Sequence, residues 1–231
     1  MAAALESLMS DYRMAIVPVT QFQQNCTLLW HVESKRCLIV DPGGEVGRIL
    51  DVVVQQELQV ETILLTHGHL DHAGGAEATR GTINEDYAKR GWDLVPILGP
   101  DERDAFLLRG IEAQCRQIGL EGMRNVVPDR YLTEGETIDT IGLSFEVLHC
   151  PGHTPGHVVF VEKQARIALV GDVLFRGSVG RTDFPYGDQA AMIHAIKTKL
   201  LPLGDDIRFM CGHGPASSFG VERQSNPFLQ G

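Results

Sequence analysis

Four polar clusters, each standing where an apolar run stops, constrain this chain more than any other feature of its sequence. The first, His67-Gly68-His69-Leu70-Asp71-His72, closes the apolar run 61–66. The second is Pro151-Gly152-His153-Thr154-Pro155-Gly156-His157, the third Gly171-Asp172, and the fourth Gly212-His213-Gly214-Pro215. Strand ends and the loops beyond them are where a rigid scaffold presents functional groups. A lone histidine at a strand end reads as a hydrogen-bonded structural residue. Three histidines and an aspartate within residues 67–72 read differently. Packed at the end of an apolar strand, they would bury several polar groups without partners, which costs free energy. A metal ion removes that cost, and imidazole with carboxylate suits zinc, iron or manganese.

The rest of the sequence says what scaffold carries these clusters. Short apolar runs at 14–19, 26–32, 36–40, 61–66 and 94–98 predict strands, and so do 137–141, 143–148, 158–162, 167–170 and 207–210. Helical spacing appears over 46–54, 73–90, 101–118 and 189–200. This order suits an α/β fold, two packed sheets with helices outside. A length of 231 residues fits a single domain over 1–231, with 1–13 as an N-terminal extension. Apolar residues at 43% and charged residues at 22% fit a globular chain. With 20 Lys and Arg against 30 Asp and Glu, the formal charge of −10 repels nucleic acid, and no basic run offsets it. The apolar runs are too short to span a membrane. Five scattered cysteines, without a C-x-x-C pair, predict free thiols in a reducing compartment. The start carries Glu6 and Asp11 and does not read as a secretion signal, so the expected location is the cytoplasm. Cys150 and Cys211 read as small buried hydrophobes, His31 and His194 as core or surface residues, and His149 as structural.

The H-x-H-x-D-H motif at 67–72, followed by His153, Asp172 and His213, resembles the metallo-β-lactamase superfamily, and within it the short, single-domain glyoxalase II branch. The resemblance runs from about residue 14 to the C-terminus. It implies an αβ/βα sandwich of two mixed sheets, helices on the outer faces, and a site at one edge. It further implies two divalent metal ions, zinc by default, with iron or manganese compatible. His67, His69 and His153 would hold the first, Asp71, His72 and His213 the second, and Asp172 would bridge them. Asp41, in the Asp41-Pro42-Gly43-Gly44 turn, matches a position that braces the metal loops. His157 is expected to hydrogen-bond His153, because a ligating imidazole needs its other nitrogen fixed. In the superfamily, enzymes that open β-lactams commonly carry Cys at the position of Asp172; the carboxylate here favours its thioester, phosphoester or lactone hydrolases.

The expected activity is therefore glyoxalase II-type hydrolysis of S-lactoylglutathione or a related small thioester by a metal-bound hydroxide, with Asp71 and Asp172 as catalytic carboxylates. Arg181 matches a basic position that contacts glutathione, but the residue two places on is Asp183, a poor partner for an anion, and the pair reads equally as a loop-bracing salt bridge. The resemblance implies that the helical domain supplying much of the glutathione site in full-length relatives is expected to be missing from this chain. The competing reading is a mononuclear-iron persulfide dioxygenase, which shares the fold, the PGHTPG stretch and the GRTDF stretch at 180–184, and would use His67, His153 and Asp172.

Overall fold

The computed structural model describes residues 11–230. The first sheet has the order β1-β2-β3-β4-β5: β1 (Tyr12–Val19), β2 (Gln24–His31), β3 (Arg36–Val40), β4 (Gln59–Leu64) and β5 (Ile97–Leu98). Strands β1 to β3 form an antiparallel meander, while β3, β4 and β5 run parallel. The parallel step is made by α1 (Val46–Gln55), the crossover length such pairs require. The second sheet draws on β6 (Thr137–Thr140), β7 (Leu143–His149), β8 (Val158–Glu162), β9 (Ile167–Gly171), β12 (Arg208–Cys211) and β13 (Ser217–Ser218). Its order is β13-β12-β9-β8-β7-β6, with β9 and β12 parallel and the other pairs antiparallel. A ribbon of β10 (Leu174–Phe175) and β11 (Ser178–Val179) stands apart. Both main sheets are thus mixed, as expected.

Helices α2 (Leu70–Ala73), α3 (Ala76–Arg90) and α4 (Ala105–Ile118) join α1 on the outside of the first sheet, and α5 (Gln189–Ala195) covers the second. A short α6 (Phe219–Ser225) follows β13. Strand alternation explains the layers. Leu29, Leu38, Val40 and Leu64 face the second sheet and pack with Phe145, Val147, Val158 and Phe160. Their neighbours Leu28, Ile39 and Ile63 point the other way and pack with Ile49, Ile83, Leu108 and Ile111. On the far side, Val159, Val161, Val170 and Phe209 pack with Met192, Ile196 and Leu200. Strands buried on both faces read as continuous apolar runs, as these do. Phe145 and Phe160 are fully buried at the centre, where truncation to Ala costs about 3–5 kcal/mol.

Several boundaries differ from expectation. Tyr12 and Arg13 belong to β1, so the expected extension over 1–13 is shorter there; 1–10 lie outside the described residues. The helix expected over 73–90 starts instead at Ala76, while Ala73 ends α2; Gly74 and Gly75 lie between them, and a Cβ at Gly74 would meet Leu70 O at 2.5 Å. Strand β5 is two residues long, and Leu94 is exposed rather than part of it. Among the described residues no helix is long and apolar enough to cross a membrane.

Candidate metal centre

The parallel pairs end at one edge of the sandwich, and the polar clusters lie there. Strand β4 delivers His67 and His69, and α2 turns Asp71 and His72 back toward them. The β7–β8 loop carries His153, Asp172 follows β9, and His213 follows β12. Asp41 follows β3, the parallel neighbour of β4, and its backbone N–H donates to Leu64 O at 3.0 Å. Residues distant in sequence meet because parallel strands end in register, the arrangement that places ligand sites at the carboxyl ends of strands in α/β sheets.

Three imidazole nitrogens converge first. His69 Nδ1 lies 3.0 Å from His67 Nε2 and 2.9 Å from His153 Nε2. Asp71, His72 and His213 form a second group, with His213 Nε2 3.4 Å and His72 Nε2 4.0 Å from Asp71 Oδ2. Asp172 faces both groups. Its Oδ1 is 3.4 Å from His72 Nε2, and its Oδ2 is 3.4 Å from His153 Nε2 and 3.5 Å from His213 Nε2. A third grouping, Asp41 with His67 and His72, meets the same spacing, but both Asp41 oxygens already accept protons from Thr66 and His72.

The electrostatics separate the groups. Burial, with the neighbouring imidazoles, pushes His67 well down, and burial with His153 beside it pushes His69 down to about 3. Burial also lowers His153. These rings are neutral, the form in which histidine ligates. Burial alone would lower His72 and His213, yet the Asp71 and Asp172 carboxylates raise both. Burial alone would raise Asp71 and Asp172, yet His72 and His213 hold both below the usual carboxylate range. Two ionised carboxylates therefore face five imidazoles in a buried space. Among the described residues, His72 Nε2 and Asp172 Oδ1 are buried without a hydrogen-bond partner. Each such orphan costs about 1–3 kcal/mol. A cation between them satisfies both, so the donor set fits divalent ions held by nitrogen and oxygen.

The family profile of the metallo-beta-lactamase superfamily matches residues 19–213. The chain belongs to that superfamily. Hydroxyacylglutathione hydrolase GloC of Haemophilus influenzae is 46% identical over 215 residues, covering 93% of this chain and 96% of that protein. The crystal structure of the B3 metallo-beta-lactamase BLEG-1 superposes with a TM-score of 0.83 at 31% identity, over 95% of this chain and all of that one (100%). TTHA1623, in a di-iron-bound form, superposes with a TM-score of 0.78 at 34% identity, over 93% of this chain and 100% of that one. This member of the metallo-beta-lactamase superfamily is a metallohydrolase, and its histidine clusters imply divalent metal ions.

In this superfamily member the ring nitrogen of each clustered histidine that points away from the centre is also engaged. His67 Nδ1 meets Thr66 Oγ1 at 3.1 Å, and His72 Nδ1 donates to Asp41 Oδ2 at 2.9 Å. His153 Nδ1 donates to Arg181 O at 2.8 Å, and His213 Nδ1 to Phe22 O at 3.1 Å. His69 Nε2 meets Tyr186 Oη at 2.9 Å. Such partners fix the ring and its tautomer. The expected hydrogen bond from His157 to His153 is not formed, because Arg181 O takes that nitrogen. His157 Nε2 instead accepts the Asp172 N–H at 3.0 Å, and its ring stacks on His67 at 4.6 Å.

Sequence reasoning missed three braces. Asp104 is fully buried and accepts Gly68 N–H at 2.9 Å, Thr154 Oγ1–H at 2.7 Å and Gly156 N–H at 2.6 Å. It ties the loop of His67 and His69 to the loop of His153. Asn25 Nδ2 donates to Cys211 O at 3.0 Å and Gly214 O at 2.8 Å, fastening the loop of His213. Tyr186 is the third. No motif marks any of them.

A cleft of about 550 Å³ opens onto the clusters, and Phe22, Leu70, Phe175, Val179, Phe184 and Tyr186 give it apolar walls. Arg181 lies on its rim, where Asp183 binds it through both carboxylate oxygens at 2.7 and 2.9 Å. Its guanidinium also sits 4.5 Å over the Phe184 ring.

Proposed function

We propose that this chain hydrolyses small thioesters in the manner of glyoxalase II, with S-lactoylglutathione or a related hydroxyacyl thioester as substrate. The observation that carries the reading is Asp172, whose two oxygens face the two ligand groups from one buried carboxylate. We assign His67, His69 and His153 to a first divalent ion, and Asp71, His72 and His213 to a second, with Asp172 between them. The 46% identity to GloC supports the thioester, and the di-iron form of TTHA1623 supports two ions, with iron an alternative to zinc.

Divalent ions at such sites supply Lewis acidity, lowering the pKa of coordinated water and polarising an acyl oxygen. The residues of the chain do the rest. Asp172 keeps the two groups at fixed separation. Asp71, ionised beside His213 on the cleft lining, is placed to accept a hydrogen bond from the attacking water. The apolar side chains of Phe22, Leu70, Phe175, Val179 and Phe184 offer the acyl group a surface to pack against. The departing thiolate needs little acid help, because thiols of this kind have a pKa of about 8.5. The apolar walls and the single, already paired Arg181 favour a small acyl group and hold the carboxylates of glutathione weakly.

Thiol release from S-lactoylglutathione and from a neutral small thioester, measured under nitrogen, tests this. Metal-dependent release from either supports it. Release from neither, with oxygen uptake on glutathione persulfide, would show the dioxygenase reading to be the right one; β-lactam opening without thioester cleavage would also overturn the proposal.

A further inference from the structure

We infer that Tyr186 is a positioning residue that sets the tautomer of His69 and so prepares the first metal group, linking the cleft wall to the ion it serves. The inference rests on assigning His69 to the first metal, and is independent of the thioester substrate.

His69 Nδ1 sits 3.0 and 2.9 Å from two other inward-facing ring nitrogens, so this atom must present its lone pair for all three to share one cation. The ring proton then belongs on Nε2. The atom facing Nε2 is Tyr186 Oη, at 2.9 Å, an oxygen able to accept that proton. The other clustered histidines turn their second nitrogen to a backbone carbonyl, to the Asp41 carboxylate, or to Thr66 beside it. His69 alone depends on a side chain from the cleft wall, 117 residues away.

Tyr186 is held in place independently of its hydroxyl. Its ring stacks on Phe184 at 5.4 Å with 13° between planes, and meets Phe106 edge-on at 5.4 Å. Phe184 in turn lies 4.9 Å from the His69 ring and carries Arg181 above it. Removing the hydroxyl therefore leaves the wall packed and leaves His69 Nε2 without its acceptor. Partners of ligating histidines commonly contribute about 10–100-fold to metal affinity.

The test compares Tyr186→Phe with Tyr186→Ala in metal-depleted protein refilled with Co²⁺ against a competing chelator. The expected result is a first-site affinity about 10-fold or more weaker in Tyr186→Phe, an unchanged second site, and an unchanged thermal melt of the metal-free protein. ¹⁵N NMR of Zn²⁺-loaded wild type should show the His69 proton on Nε2. Tyr186→Phe binding both ions as wild type does, with only Tyr186→Ala impaired, would mean that the ring merely packs, and would overturn the inference. Should Tyr186→Phe fail to fold, the wild-type spectrum decides, because a proton on Nδ1 contradicts the assignment. No substrate is present in these measurements, so a wrong substrate leaves their outcome unchanged.

Discussion

Asp41 Oδ2 lies 2.9 Å from His72 Nδ1, and the same carboxylate accepts Thr66 N–H at 2.8 Å and Thr66 Oγ1–H at 2.6 Å. One buried aspartate thus fixes the start of the histidine-rich loop and a ring at its end. Asp41→Ala should cost about 3–5 kcal/mol, because it leaves buried donors unpaired in a charged network. Metal retention against a chelator should fall about 10–100-fold. Urea denaturation and metal analysis check both; wild-type values in each would remove Asp41 from the brace.

Gly212 admits no side chain. A Cβ there would lie 2.1 Å from Asp172 Oδ1 and 2.5 Å from His72 Cε1. Gly212→Ala should displace the carboxylate between the two groups, cost about 1–3 kcal/mol of stability, and lower metal content under limiting supply. Full occupancy in this variant would show that Asp172 does not sit where the structure puts it.

Asp104 supplies a pH signature. Burial pushes its carboxyl up to about 6, ahead of the donors that favour its charged form. A raised acid binds a proton in the native state that the unfolded chain has already lost, so this contribution stabilises as pH falls through about 6 toward the ordinary aspartate value of 3.8. Over that window, metal-free wild type should gain up to about 3 kcal/mol relative to Asp104→Asn. At neutral pH, Asp104→Asn should also lose metal affinity, since an amide nitrogen must face one of the donors Gly68 N–H, Gly156 N–H or Thr154 Oγ1–H. Urea titrations of both proteins at pH 7 and pH 5 measure the difference; a constant gap would contradict the raised value.

Arg181 and Asp183 form an exposed bidentate pair on the cleft rim. Arg181→Ala should raise KM for S-lactoylglutathione a few-fold with kcat nearly unchanged, because exposed charge contacts contribute only about 0.2–1 kcal/mol and are shared by ground and transition states. Asp183→Asn should lower KM by freeing the guanidinium. A neutral thioester should respond to neither. Equal loss on both substrates in Arg181→Ala would mean that the pair only braces the loop.

Much of this molecule was legible in sequence because its signals are local. The buried strands are continuous apolar runs, and the H-x-H-x-D-H stretch places four candidate donors within six residues. What was not legible is long-range. Asp104 reaches Thr154 across 50 residues, Tyr186 reaches His69 across 117, and Asn25 reaches Cys211 across 186. None has a local pattern to mark it, because the fold alone brings each pair together. The sequence points to His157 but not to its partner: Arg181 O, from the β11–α5 loop, accepts from His153 Nδ1, and His157 Nε2 accepts from Asp172 N–H instead. The ribbon β10–β11 and the helix α6 are too short for periodicity to show.

Metal stoichiometry, read with the His213→Ala variant, tests the proposed two-ion centre most directly. Elemental analysis of protein supplied with excess divalent metal should find close to two ions per chain. His213→Ala should retain the ion at His67, His69 and His153, lose the other, and lose most thioester turnover. A firm limit of one ion in the wild type, with His213→Ala fully active, would contradict the account.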